Sequence, residues 1–256
     1  MQFIKAYSGE NDFIIIDARK EKLPENLGKL IPRIANRHKG IGADGVIIIE
    51  KSKTTDFKLR YFNPDATEYS VCGNGSLCVM LYENKPKLKF TTGAGVFKGG
   101  NKDNKAFIQI PKPKDIILDF YLTVGDKKEE LNFVNIGVPH TICFVEDVED
   151  IDINKLAKPI RFHTYFRESG TNVNFVQIVK RNEIIVRTYE RGIEGETDCG
   201  SGSCSASIVG WMKKKLDSNV KVTTRGGVLE VEIKKINDVT LYGNPKIVYK
   251  GNFTES

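Results

Sequence analysis

The chain has 256 residues, 40% of them hydrophobic and 28% charged, the balance of a soluble globular protein with room for one large domain or two ordinary ones. Its formal net charge of +6 comes from lysines scattered along the chain, with no dense basic block interleaved with aromatics, which argues against a nucleic-acid partner. No stretch is long and apolar enough for a signal peptide or a membrane span, and five cysteines, an odd number, suit a reducing compartment better than a disulfide framework, so cytoplasmic residence is the expectation.

In chain order, the first strand signal is FIIIDAR (13–19), followed by a helical pattern over Glu25–Asn36 that carries Pro32. DGVIIIE (44–50) and FKLRYFN (57–63) read as strands, being β-branched or aromatic and bounded by turn formers. A second helix is predicted after Gly75, then strands KLKFTT (87–92), AFIQI (106–110), HTICFVE (140–146), NFVQIV (174–179) and EIIVRTYE (183–190). A third helix is predicted after Gly202, with Lys213, Lys214 and Lys215 in its last turn, where cations complement the helix dipole. Strands NVKVTT (219–224) and VLEVEI (228–233) follow. Many strands with few helices predict an α+β or mostly β fold.

Two short phrases repeat. SVCGNGSLC (70–78) and TDCGSGSC (197–204) hold four of the five cysteines. With Cys72 aligned on Cys199, Arg60 falls on Arg187 in matching strands, and KFTTGAGVFKG (89–99) falls on KVTTRGGVLEV (221–231). Upstream, GENDFIII (9–16) resembles GTNVNFVQI (170–178), which pairs Asn11 with Asn172. The repeat predicts two similarly folded halves facing each other across a pseudo-two-fold axis, with the crossing near PKPKDIILDF (111–120).

A cysteine followed by Gly-polar-Gly and a helix stands at a helix N-terminus, where unpaired N–H groups and the dipole stabilise negative charge. A thiolate is favoured there, and the glycines let an anion such as a carboxylate approach the backbone. Cys78 and Cys204, more than a turn into their helices, and Cys143, in an apolar run, are expected to be buried small hydrophobes. The cysteine spacings are not those of a zinc site, no CxxC redox motif is present, and GIGADG (40–45) lacks the strand–turn–helix context of a dinucleotide loop. Two equivalent thiols, one per half, suit inversion at a carbon: one removes a proton from one face and the other returns a proton to the opposite face.

At this point the chain resembles the diaminopimelate epimerase family. The resemblance rests on GENDF, GIGADG, FNPDATEYSVCGNG, GVPH, GTNVNF, YERGIEGETDCGSG and LYGNPKIVY, and covers nearly the whole chain. It implies an α+β fold of two pseudo-symmetric domains, each a barrel-like β-sheet wrapped around a central helix, with the active site in the cleft between them. The expected halves are residues 1–114, with 246–256 returning to them, and 115–245. It implies cofactor-independent interconversion of LL- and meso-diaminopimelate, in lysine and cell-wall precursor biosynthesis, with no metal, no nucleic-acid or membrane partner, and a homodimer as a compatible state. Cys72 and Cys199 are then the proton-transfer residues. Gly73, Asn74, Gly200 and Ser201 cradle the reacting carboxylate. Asn11, Asn63, Asn172 and Arg191 hold the substrate, the last three at its distal end, and Glu190 and His140 lie close to the reacting centre. Val138 stands where many members have Asn. The alternative is a related two-cysteine enzyme, a proline or hydroxyproline racemase, whose first motif instead resembles Cys-Gly-His.

Overall fold

Short β-branched runs dominate the chain, and their strands pair around two helices whose first two turns are almost wholly buried. The computed structural model describes residues 1–102, 105–167 and 170–254. The chain divides into two compact units: Met1–Gln109 with the chain from Tyr242 onward, and Ile110–Leu241.

The first unit holds β1 (Gln2–Ser8), β2 (Asn11–Asp17), α1 (Leu27–Ala35), β3 (Gly45–Glu50), β4 (Phe57–Phe62), β5 (Glu68–Tyr69), α2 (Gly73–Glu83), β6 (Leu88–Thr92), β7 (Gly95–Lys102) and β8 (Lys105–Gln109). The second holds β9 (Lys114–Val124), β10 (Lys127–Asn135), β11 (Pro139–Val145), α3 (Ile153–Arg161), a 3-10 turn (Thr164–Phe166), β12 (Asn172–Lys180), β13 (Glu183–Glu190), β14 (Gly195–Thr197), α4 (Gly200–Met212), β15 (Asn219–Thr224) and β16 (Gly227–Lys235). Strand β17 (Asp238–Gly243) crosses the boundary, and β18 (Lys246–Asn252) pairs antiparallel with β1.

Within each unit the pairing follows one scheme. In the first, β1–β2 is antiparallel, β2–β3 parallel, β3–β4 antiparallel, β4–β5 antiparallel, β4–β6 parallel and β6–β7 antiparallel. In the second, β10–β11, β11–β12, β12–β13, β13–β14, β13–β15 and β15–β16 repeat those senses in the same order. Every parallel pair is bridged by a helix, β2–β3 by α1, β4–β6 by α2, β11–β12 by α3 and β13–β15 by α4, as parallel strands require. Helix α3 is missing from the predicted elements, although its apolar residues Ile153, Leu156, Ala157 and Ile160 recur at helical spacing behind Asp152. Asp152 caps it by accepting from the Lys155 N–H at 3.0 Å, and it buries Ile153, Ala157 and Ile160.

The register corrects one expected equivalence. Phe13 on β2 pairs with Gly45 on β3, whereas His140 on β11 pairs with Asn172 on β12. Asn172 is therefore the counterpart of Gly45 and not of Asn11, and His140 is the counterpart of Phe13. The local Gly-x-Asn likeness is real, but it joins the start of β2 to the start of β12, which occupy different places in the scheme. The Arg60–Arg187 equivalence holds, since each is the strand partner of the fourth residue of β3 or β12. Each grips a carboxylate on the next short strand with two nitrogens, Arg60 on Glu68 at 2.9 and 2.6 Å and Arg187 on Glu196.

Helices α2 and α4 bury nearly every residue of their first two turns, including Leu77, Val79 and Met80 in one and Ala206, Ile208 and Val209 in the other. A helix without a polar face is stable in water only when surrounded, and strands of its own unit pack around each. The buried serines of α4 avoid an unsatisfied hydroxyl by bonding back one turn, Ser207 to the Ser203 carbonyl at 2.9 Å and Ser203 to the Cys199 carbonyl at 3.2 Å. Helix α4 ends at Met212, so Lys213–Lys215 lie beyond its last turn and not in it.

Candidate active site

Both helices begin earlier than the glycines suggested, at Gly73 and Gly200, and this makes Cys72 and Cys199 the N-cap residues. Each has extended backbone, with φ of −126° and −122°, and each sulfur accepts from the third helical N–H, Gly75 or Gly202, at 3.4 Å. Cysteine is an uncommon cap, since Ser, Thr, Asp and Asn serve this position better. Its presence twice, in one geometry, puts two sulfurs where backbone donors and the positive helix end favour the anion. The other three cysteines are buried thiols, and burial pushes Cys78, Cys143 and Cys204 well above the ordinary thiol range.

In the second unit a polar chain leads to Cys199. The Ser201 hydroxyl lies 3.2 Å from the Cys199 sulfur and 3.0 Å from His140 Nε2. His140 is fully buried, and Asn174 Nδ2 stands 3.2 Å from its Nδ1. The Asn174 amide is oriented by two further bonds: its NH2 donates to the Thr141 carbonyl at 2.9 Å, and its oxygen accepts from the Thr188 hydroxyl at 3.0 Å. Its second N–H therefore faces Nδ1, which must accept. The proton of the neutral imidazole then sits on Nε2, directed at Ser201. Burial, helped by the Arg191 charge and opposed by the Asn174 bond, pushes the imidazole down to about 3 from its ordinary 6.5, so it is neutral at physiological pH.

The substrate-side residues predicted for this unit gather around the same strand ends. Asn172 accepts the Arg191 backbone N–H at 2.8 Å and holds its own Nδ2 3.4 Å from His140 Nε2. Glu190, the last residue of β13, accepts from the Thr197 hydroxyl at 2.6 Å. Burial raises the Glu190 carboxyl above its ordinary range, with repulsion from Asp198 adding to the effect and the Thr197 bond and Arg191 charge opposing it. Among the described residues, Cys199, Ser201, His140, Asn172, Glu190 and Arg191 thus belong to one end of one sheet.

The first unit assembles a smaller group. Asn74, buried in the first turn of α2, donates to the Asn11 side-chain oxygen at 3.1 Å and lies 3.5 Å from the Ser8 hydroxyl. Beneath Gly75 stand Ile47 and Phe13, and the Phe13 ring meets that of Tyr61 edge to face at 6.2 Å. Asn63 sits in the turn after β4, where its N–H and carbonyl close the backbone on Thr67 and Ala66 at 3.0 and 2.9 Å.

Asn174 and Thr188 were missed in the sequence. The signal is an Asn at alternate positions of an otherwise apolar strand, NVNFV (172–176), since alternate residues share a face and both asparagines are buried. A buried side-chain amide needs several partners, and this one has them.

A family model described as diaminopimelate epimerase matches residues 3–106 and 132–248. A diaminopimelate epimerase of Aquifex aeolicus is 37% identical over 281 residues, covering 100% of this chain and 98% of the relative. One from a Hydrogenobaculum species is 36% identical, covering 97% of each. Among solved structures, a probable proline racemase from Agrobacterium radiobacter superposes with a TM-score of 0.75 at 13% identity, covering 100% of this chain and 93% of that one. A phenazine biosynthesis protein from Enterococcus faecalis gives 0.71 at 18%, covering 98% and 97%. These distant likenesses show the racemase/epimerase fold alone. The chain belongs to the diaminopimelate epimerase family, a family of isomerases.

Proposed function

We propose that this member of the diaminopimelate epimerase family interconverts LL- and meso-diaminopimelate by proton transfer through Cys72 and Cys199, without a cofactor. The observation that carries the reading is the paired cap: two units of one topology each place a cysteine sulfur at the same N-cap position of a buried helix. An α-carboxylate is held by the first-turn N–H groups at Gly73–Asn74 and Gly200–Ser201, which a helix leaves without intrahelical partners. One sulfur, as thiolate, takes the α-proton, so a C–H bond breaks and an S–H bond forms. The electron pair left on carbon is delocalised into the carboxylate, where each aimed donor is worth about 3 kcal/mol. The other sulfur, as thiol, gives its proton to the opposite face and is left as the thiolate. Asn63, Asn172 and Arg191 read the distal amino-acid end, whose carboxylate suits a guanidinium. Cytoplasmic residence and a homodimer belong to the same reading; among the described residues no helix is long and apolar enough to cross a membrane.

The test is turnover of LL-diaminopimelate in deuterium oxide, with proline and hydroxyproline in parallel. Deuterium at the α-carbon, with inversion of diaminopimelate alone, supports the reading. A protein that binds the substrate without exchange is a binder and not an epimerase, and inversion of proline instead selects the racemase alternative. Cys72→Ala and Cys199→Ala should each abolish epimerisation; full activity in either removes the two-thiol mechanism.

A further inference from the structure

We infer that the two thiols are unequal at rest: Cys199 is the thiolate, held by a one-way chain of donors from Asn174 through His140 and Ser201, and Asn174 is the residue that sets the direction. The inference rests on the two-thiol reading for its catalytic meaning, while its test reads ionisation and not turnover.

A chain of hydrogen bonds can in principle run either way, because both the serine hydroxyl and the imidazole can reverse. The thiol of Cys199 would donate to Ser201, and Ser201 to His140 Nε2, if the imidazole carried its proton on Nδ1. That tautomer aims a buried N–H at the Asn174 NH2, 3.2 Å away, with no acceptor there. Rotating the Asn174 amide does not help. It would bring the oxygen against the Thr141 carbonyl, now 2.9 Å from Nδ2, and the NH2 against the Thr188 hydroxyl that serves the Asn174 oxygen. Leaving a buried donor unsatisfied costs more than a hydrogen bond gains. The remaining direction is Asn174 N–H to Nδ1, Nε2–H to the Ser201 oxygen, and Ser201 O–H to the Cys199 sulfur. Nε2–H has an acceptor in Ser201 at 3.0 Å, and the Asn172 NH2, farther off at 3.4 Å, then makes no bond to that nitrogen. The sulfur then receives from Ser201 at 3.2 Å and from the Gly202 N–H at 3.4 Å, which is how an anion is held.

The first unit places different side chains at the positions of this donor chain. The counterparts of His140, Asn174 and Thr188 in the repeated register are Phe13, Ile47 and Tyr61. The counterpart of Ser201 is Asn74, whose amide is engaged by Asn11 and Ser8. Packing enforces the difference: a Cβ on Gly202 would stand 2.4 Å from Asn174 Oδ1, while one on Gly75 would meet Ile47 Cδ1 at 2.8 Å. The titratable groups nearest Cys199 in its own unit are Glu190 at the end of β13, Arg191 in the turn after it, the neutral His140 of β11 and the adjacent Asp198. Neither α2 nor α4 has an acidic residue in its first turn. Burial raises the Glu190 carboxyl above its ordinary range, and its side chain accepts from the Thr197 hydroxyl at 2.6 Å.

The experiment is a pH titration of thiolate absorbance in the far ultraviolet on Cys72→Ala, which leaves Cys199, and on Cys199→Ala, which leaves Cys72. The buried Cys78, Cys143 and Cys204 are pushed too high to contribute. The Cys72→Ala protein is expected to form its thiolate at the lower pH. Adding Asn174→Leu or Ser201→Ala to it should raise that midpoint by about one pH unit, a tenfold loss of thiolate for one charge-assisted bond, while Ser201→Thr keeps it. Ser201 lies on the first turn of α4, so its variants test the chain even if the Asn174 variant does not fold. A lower midpoint for Cys72, or no movement on removing the Ser201 hydroxyl, overturns the inference. Ionisation as expected in a protein that exchanges no deuterium would leave the donor chain standing and remove the catalytic reading.

Discussion

Acidification tests the buried imidazole directly. His140 is fully buried among neutral donors, and its proton affinity falls from an ordinary 6.5 to about 3. The unfolded chain therefore binds a proton that the folded chain refuses over the interval between those values. A group depressed in this sense costs nothing above pH 7 and destabilises as pH falls through the unfolded value. At pH 5 the unfolded histidine is almost wholly charged and the folded one almost wholly neutral. The loss is about 1.4 kcal/mol for each of the 1.5 pH units between 6.5 and 5, or about 2 kcal/mol. The assay is urea unfolding between pH 7.5 and 5, followed by the fluorescence of Trp211, the single tryptophan, which lies in α4 of the second unit. Running His140→Gln alongside cancels every other titrating group, and the difference between the two curves should narrow by about 2 kcal/mol over that range. A difference that stays flat, or a nuclear magnetic resonance titration of His140 with a midpoint near the ordinary value, would refute both the neutral imidazole and the donor direction built on it.

Glu190→Gln should behave in the opposite sense. Its carboxyl is raised by burial above the ordinary 4.5, so ionisation works against folding once the pH exceeds that value, and the amide should be more stable than wild type at pH 7 but not below pH 4.5 in thermal melts. Gly202→Ala places a methyl 2.4 Å from Asn174 Oδ1 and 2.7 Å from Thr188 Oγ1, and should cost about 1–3 kcal/mol in chemical denaturation as overpacking does. Gly75→Ala presses only on the flexible end of Ile47 at 2.8 Å and should cost less. Arg191→Ala should lower kcat/KM for diaminopimelate by about 2–5 kcal/mol in transition-state binding, and an equal loss with an analogue lacking the distal carboxylate would show that the guanidinium does not read that end.

Much of this protein is legible before folding, because the signals are local. A cysteine followed by Gly-polar-Gly and an apolar run reads as a sulfur at a helix N-terminus, and the helices start earlier than that reading places them, which makes both sulfurs caps. Runs such as FIIIDAR and EIIVRTYE read as strands from their own composition, and a helix with no continuous charged face announces that it is surrounded. What the tertiary structure decided is which strand lies beside which. Alternation along β12 says that Asn172 and Asn174 share a face, but only the parallel pairing of β11 with β12 sets His140 opposite Asn172 and within reach of Asn174. The same pairing separates Asn11 from Asn172, which a short likeness had joined, and lays a polar chain beside one cysteine cap and Phe13 and Ile47 beside the other. Register is set by burying whole faces together, a sum over residues far apart in the chain, so two phrases that match at their cysteines can rest on unlike supports.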